Sequence, residues 1–219
     1  MEIIPTIIAK DFKEVQVKIK QAEPFFKWLQ LDIMDGQFVA NTTWQNPNDL
    51  KNLSTILNLE AHLMVVDPLK QAENWLMPGI KRIIIHWEAV FGQNLLNKPK
   101  LLEQLIAKIK NQRVEFGVAI NPETAIVGNK NFCSLLKQID LVLVMTVLPG
   151  KAGQVFMPEV LPKIKQLRQI WPSGKISVDG GIDLESARQC QAVGADILCV
   201  GSYLWQSADM AQAINNLQN

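Results

Sequence analysis

Along residues 28 to 36, Trp28 to Gly36, two kinds of side chain alternate. Leu29, Leu31 and Ile33 fall on one side of an extended chain, and Gln30, Asp32 and Met34 on the other. The Leu/Ile side requires an apolar cover, and helices are the usual cover of a parallel sheet. The opposite side carries an amide, a carboxylate and a thioether where packing alone would place Val or Ile. Asp35-Gly36 is explained as a turn. Asp32 is not, because a lone carboxylate inside an apolar run is costly. The pattern recurs at residues 59 to 66, where Glu60, His62 and Met64 share a side against Ala61, Leu63 and Val65.

Short β-rich apolar runs alternate with segments of helical period along the rest of the chain. Strands are predicted at 3–8, 28–36, 59–66, 82–86, 114–120, 139–145, 175–178 and 196–200. Helices are predicted at 11–22 (apolar Phe12, Val15, Val17, Ile19), near 48–57, and from Asp67-Pro68, acid before proline being a helix start. An Asn- and Lys-rich loop at 92–100 precedes an amphipathic helix in which Leu101, Leu105 and Ile109 recur at four-residue spacing beside Leu102 and Ile106. Further helices are predicted at 122–127, 158–170, 184–193 and from Ser202 to about Leu217. Strand then helix, eight times, with no compositional break, describes an α/β fold: a single (β/α)8 TIM barrel spanning residues 1–219 as one domain. A doubly wound open sheet would ordinarily show a glycine-rich turn after its first strand, and residues 6 to 10 hold no glycine.

Composition narrows the function classes. Hydrophobic residues at 48% and charged residues at 20% describe a soluble globular protein, and a net charge of +1 argues against nucleic acid or a membrane surface as partner. Cys133, Cys190 and Cys199 lie far apart with no CxxC pair, as expected of a reducing compartment. The first twelve residues lack a cleavable signal pattern and no apolar run nears the ~20 residues of a membrane span, so the expected location is cytoplasmic.

In such a barrel, side chains at the C-terminal strand ends converge on one mouth. Those ends carry Thr6, Asp32 with Met34, His62 with Met64, His86, Asn121, Met145, Asp179 and Gly201-Ser202, and they include both histidines of the chain. Singly, a strand-end His, an inward Met or an Asp before Gly-Gly has a structural explanation. Jointly, Asp32, His62 and Asp179 form a donor set suited to one divalent metal ion such as Zn, Fe, Mn or Co. Two carboxylates facing each other across a substrate carbon can also take a proton from one face and return one to the other, inverting a stereocentre. The second signal is backbone-rich: Gly150, Lys151, Ala152 and Gly153 after strand six, Gly180-Gly181 after strand seven, and Gly201-Ser202 after strand eight. Amides at neighbouring loops of this face cradle phosphate, with Lys151 adding a point charge.

LDIMDGQFV, AHLMVVDP, GVAINPET, LVLVMTVLPG followed by GQ and F, VDGGI and GADILCVGS, in order and across nearly the whole chain, resemble the motifs of the ribulose-phosphate 3-epimerase family. The resemblance implies a (β/α)8 barrel interconverting D-ribulose 5-phosphate and D-xylulose 5-phosphate at C3 with one divalent metal, and a homo-oligomer. It implies Asp32 as base and metal ligand, Asp179 as opposing acid and second ligand, and His62 as a third ligand touching substrate. Met34, Met64 and Met145 would line the enediolate, and Thr6 stands where the family usually carries a substrate-contacting Ser. The loop 150–153 with Gly180, Gly181, Gly201 and Ser202 would hold the phosphate. Two positions depart from the pattern. Gln30 replaces a histidine metal ligand, and its amide oxygen is a weaker donor to Zn than imidazole. Gly-Lys-Ala-Gly replaces Gly-Phe-Gly-Gly, and Ala152 has less backbone freedom than glycine. Two rivals remain open: a 3-epimerase of a ketohexose 6-phosphate, and a non-catalytic phospho-sugar binding protein with a degraded metal site. With no Lys inside a strand end, a Schiff-base aldolase is disfavoured.

Overall fold

Leu29, Leu31 and Ile33 face outward into a core shared with Val15 and Ile19 of a covering helix, while Gln30, Asp32 and Met34 point inward. A computed structural model describes residues 1–92, 98–126 and 128–218. Among the described residues, eight parallel strands form the inner wall: β1 (Glu2–Ile7), β2 (Trp28–Met34), β3 (Asn58–Met64), β4 (Ile80–His86), β5 (Glu115–Ile120), β6 (Leu141–Met145), β7 (Lys175–Asp179) and β8 (Ile197–Val200). Each pairs with the next, and β1 also pairs with β8, so the barrel closes and no sheet edge is left unpaired. The closure removes the open-sheet alternative.

Around the wall run α1 (Phe12–Ala22), α2 (Pro68–Asn74), α3 (Trp87–Phe91), α4 (Lys98–Asn111), α5 (Lys130–Leu135), α6 (Leu161–Ile170), α7 (Leu184–Ala192), α8 (Ser202–Trp205) and α9 (Met210–Gln218). Helix starts are chemically marked: Asp11 accepts from the Glu14 amide at 2.9 Å, and Asp183 with Ser186 forms a capping box on α7. None of the described helices is long and apolar enough to cross a membrane.

Several sequence expectations need correction. Residues 48–57 do not form an α-helix; a 3-10 segment, Pro47–Asn52, buries only Leu50, too little apolar surface to hold further turns. The helix expected at 122–127 is replaced by a turn closed by the Thr124 amide on the Asn121 carbonyl (3.1 Å), because Asn121 and Thr124 give their donors to Glu88. Val127 lies outside the described residues, and the helix begins at Lys130, capped by Asn129. The last helix is two, since Ser207 and Asp209 hydrogen-bond each other and Asp209 caps a fresh start at the Gln212 amide. The segment 158–170 opens as a 3-10 turn, Pro158–Val160, before α6. In α4 the buried stripe is Leu102, Leu105, Ile106 and Ile109, with Leu101 exposed, and α1 likewise exposes Val17 while burying Val15, Ile19 and Ala22. Of the loop expected at 92–100, residues 93–97 lie outside the described residues, and α4 already begins at Lys98.

At the N-terminal end of the barrel, buried Arg82 bridges Glu60 and Glu115. Its guanidinium lies 4.2 Å from the Trp28 ring centroid, and Lys175 reaches Glu115 at 2.9 Å. The guanidinium fork serves both carboxylates, and Glu60 would be uncompensated without it. Arg82→Met is therefore expected to lower unfolding free energy by about 3–5 kcal/mol in chemical denaturation. A loss below about 1 kcal/mol would show that Glu60 is neutralised some other way.

Candidate active site

The register of β2 on β3 sets Asp32 beside His62 and Met34 beside Met64. Thr43 secures the end of β2, its hydroxyl donating to the Asp32 carbonyl (2.8 Å) and accepting from the Met34 amide (2.9 Å). Asp179, the last residue of β7, arrives from across the barrel, and its carbonyl accepts from the Thr146 amide at 2.8 Å. His62 Nδ1 is 3.0 Å from Asp32 Oδ1 and 3.7 Å from Asp179 Oδ2. Ligand atoms of Asp32, His62 and Asp179 all lie within 4.8 Å of one another. The two acids thus do meet in one pocket.

Gln30 sits beneath them, fully buried. Its Nε2 donates to Asp32 Oδ1 (2.9 Å) and to Asp179 Oδ2 (2.7 Å), and lies 3.4 Å from His62 Nδ1. Its Oε1 is buried with no hydrogen-bond partner. Burial pushes Asp32 up to about 7, against the Gln30 hydrogen bond. Burial and then the charge of Asp32 push Asp179 up to about 7 as well. Burial pushes His62 down to about 4. Two crowded carboxylates, a neutral imidazole and an orphaned amide oxygen at the same point fit a divalent cation. The donor set is two hard anionic oxygens and one intermediate nitrogen, with a third oxygen, that of the Gln30 amide, within one amide rotation.

Above this cluster opens a cavity of about 670 Å³. Thr6, Met34, Met64 and Met145 line it together with Asp32, His62 and Asp179. The glycine-bearing loops form another stretch of its wall: Gly150, Lys151, Ala152 and Gly153, then Gly180 and Gly181, then Gly201 and Ser202. Every strand-end residue singled out in the sequence therefore reaches one cavity, except Gln30, His86 and Asn121. Gln30 is the buried floor. The His86 ring packs behind His62, its centroid 5.0 Å away, with Phe38 at 4.8 Å against it.

At Gly181 (φ +64) a Cβ would strike the backbone of Phe156, so this approach of the β7 loop to the β6 loop requires glycine. The Ala152 departure brings no strain, since positive φ in that loop falls on Gly150 and Gly153 and not on Lys151 or Ala152. Sequence reasoning gave no role to Val147, Gln154 and Phe156, which line the wall although all three fall inside the LVLVMTVLPG, GQ and F motif. It also passed over Glu88, whose spacing of two from His86 was the available clue.

A closed parallel barrel with two buried acids and a histidine under a glycine-walled cavity defines a (β/α)8 enzyme acting on a small anionic substrate. The chain belongs to the ribulose-phosphate 3-epimerase family, whose pattern it matches over residues 2–205. It is 39% identical over 200 residues to the ribulose-phosphate 3-epimerase of Chlamydia muridarum (strain MoPn / Nigg), covering 87% of this chain and 82% of that protein. It is 32% identical over 226 residues to that of Bacillus subtilis (strain 168), covering 100% and 98%. Among solved structures, 3-hexulose-6-phosphate synthase from Salmonella typhimurium superposes with a TM-score of 0.69 at 14% identity, covering 99% of this chain and 96% of that one, which shows the shared barrel fold.

The carboxyl shifts set a pH signature in metal-free protein. Asp179 ionises near 3.8 when unconstrained and near 7 when folded, so between those values the folded state holds the extra proton and loses stability as pH rises. Asp179→Asn should therefore gain stability over the parent protein in chelator. The gap should widen by up to ~1.4 kcal/mol per pH unit between about pH 4 and 7 and then level off. A gap independent of pH in denaturant titrations would contradict the shift.

Proposed function

We propose that this chain inverts C3 of D-ribulose 5-phosphate to give D-xylulose 5-phosphate. The observation that carries the reading is the meeting of Asp32 and Asp179 with His62 at the floor of a cavity walled by glycine-bearing loops. The C3 proton, acidified by the neighbouring carbonyl, passes to the Asp32 carboxylate. Asp179, as the carboxylic acid, delivers a proton to the opposite face, so one proton leaves and one arrives. Carboxyls that titrate near 7 are matched to both roles at neutral pH. A divalent metal held by Asp32, His62 and Asp179 supplies positive charge for the enediolate oxygens when bound.

Thr6 and His62 orient the sugar. Met34, Met64 and Met145 give the planar intermediate a dry, polarisable wall. The loop 150–153 with Gly180, Gly181, Gly201 and Ser202 takes the phosphate, which places C3 over the acids. Gln30 is the fourth ligand position, its amide turning Oε1 toward a cation and its N–H groups toward the carboxylates without one. Three free cysteines fit a reducing, cytoplasmic setting.

Asp179→Asn should keep the circular-dichroism spectrum and lower kcat by about 10³-fold or more in a coupled epimerase assay; full activity in that variant would remove the two-carboxylate mechanism. Deuterium exchange from solvent into C3 should occur with D-ribulose 5-phosphate. Exchange confined to a ketohexose 6-phosphate would reassign the substrate, and none with either would leave a binding protein. Gln30→His should tighten Zn²⁺ binding by about 10-fold or more in calorimetric titration, and equal or weaker binding would show that the amide is as good a donor there.

A further inference from the structure

The glycine wall of the cavity rests on a peptide that has little direction of its own. Gly180 (φ +120) and Gly181 (φ +64) carry no Cβ, so the peptide between them can turn either its carbonyl or its N–H toward the cavity at small steric cost. A Cβ at 180 would strike Val147, so no side chain there can hold the peptide, and the hold has to come from a neighbour. Pairing of Met145 with Asp179 across β6 and β7 brings Thr146 alongside. Thr146 is fully buried, and its hydroxyl donates to the Gly180 carbonyl at 2.5 Å. Its N–H donates to the Asp179 carbonyl (2.8 Å), and its own carbonyl accepts from the Met157 amide (2.9 Å), closing the loop 147–156 at both ends.

We propose that Thr146 is a positioning residue for the phosphate wall: its hydroxyl holds the Gly180–Gly181 peptide with the carbonyl turned back and the Gly181 N–H turned toward the phosphate position. A trans peptide keeps C=O and N–H antiparallel, and the described residues include no cis bond. The Gly180 carbonyl faces Thr146, which stands behind the cavity wall, so the Gly181 N–H faces the opposite way, on the side of the cavity that Gly181 lines. Among the described residues that N–H has no hydrogen-bond acceptor. Reversed, the peptide would set a carbonyl lone pair against the phosphate in place of a donor.

The hydroxyl makes the two orientations unequal. In the observed one its proton meets a carbonyl, which can only accept. In the reversed one the hydroxyl oxygen would accept from the Gly181 N–H, and the hydroxyl proton would lose the one acceptor it has among the described residues, in a fully buried position. The same residue also joins the two halves of the site. Its main chain holds the backbone of Asp179 and its side chain holds the next peptide along, so the spacing between acid and phosphate wall is set at one point.

This inference rests on the reading of the Gly180–Gly181 wall as a phosphate site, and inorganic phosphate is the probe. In ¹H–¹⁵N spectra of the ¹⁵N-labelled protein, added phosphate should shift the Gly181 amide. In Thr146→Val a methyl group replaces the hydroxyl, and carbon stands about 3.3 Å or more from a carbonyl oxygen, so the peptide is pushed off its hold. Half-saturation of the Gly181 shift should then need about 10-fold more phosphate, while Thr146→Ser, which keeps the hydroxyl, should titrate within about 3-fold of the parent. Both variants keep the main-chain N–H that holds Asp179, so a difference between them reports the hydroxyl. Thr146→Val titrating like the parent, or Thr146→Ser as weak as Thr146→Val, would overturn the role of Thr146 and leave the phosphate reading in place. A parent protein whose Gly181 amide does not respond to phosphate would overturn that reading and the inference with it. Should Thr146→Val fail to fold, Thr146→Ala, which removes the hydroxyl without adding a methyl in its place, carries the same comparison.

Discussion

Two carboxylates that share one amide donor in the middle of a barrel cannot both carry full charge at low cost. At about 4–5 Å, two unit charges repel by roughly 3–4 kcal/mol even at an effective dielectric of ~20, and both acids here are buried, at 5% and 8% exposure. Among the described residues, their partners are the Gln30 amide and a neutral imidazole, with no cationic side chain. Protons or a cation must make up the difference. That deficit links the raised carboxyl pKa values, the affinity for a divalent ion and the fitness of the pair for moving protons at neutral pH.

The opposite end of the same barrel shows the contrasting solution. There Glu60 and Glu115 are matched by Arg82 and Lys175, so the charges are balanced within the chain and the cluster needs nothing from outside. Glu60 and Asp32 are two residues' worth of strand apart across the β2–β3 pair, one beside Gln30 and the other one inward step above it. Balanced charge at the N-terminal end reads as scaffold. Unbalanced charge at the C-terminal end, under an open cavity, reads as chemistry.

Substitution at position 30 changes the character of that imbalance more than its location. An amide can present hydrogens to carboxylates or oxygen to a cation by rotating one torsion, whereas a neutral imidazole presents one donor and one lone pair on opposite edges of its ring. The orphaned Gln30 Oε1 marks the unused half of this choice. The lysine-and-alanine version of the phosphate loop has no comparable consequence, because its left-handed angles sit on the retained Gly150 and Gly153.

By itself the sequence determined the strand-then-helix repeat, the inward placement of Gln30, Asp32, His62 and Met64, and the gathering of acids and glycine loops at strand ends. Each of these follows from local periodicity and from the rule that parallel strands present one end to a common face. Helix ends were less legible: 122–127 and 206–209 carry helix-compatible residues whose polar groups found nearer partners in Glu88 and in each other. Only the tertiary structure decided that Asp179 crosses the barrel to lie within reach of Asp32, that the Gln30 amide bridges them, and that His86 retreats behind His62 to meet Glu88. The reason is that separations of 24 to 149 residues are closed by barrel geometry. No pattern along the chain records which inward side chains share a layer once the sheet has curled shut.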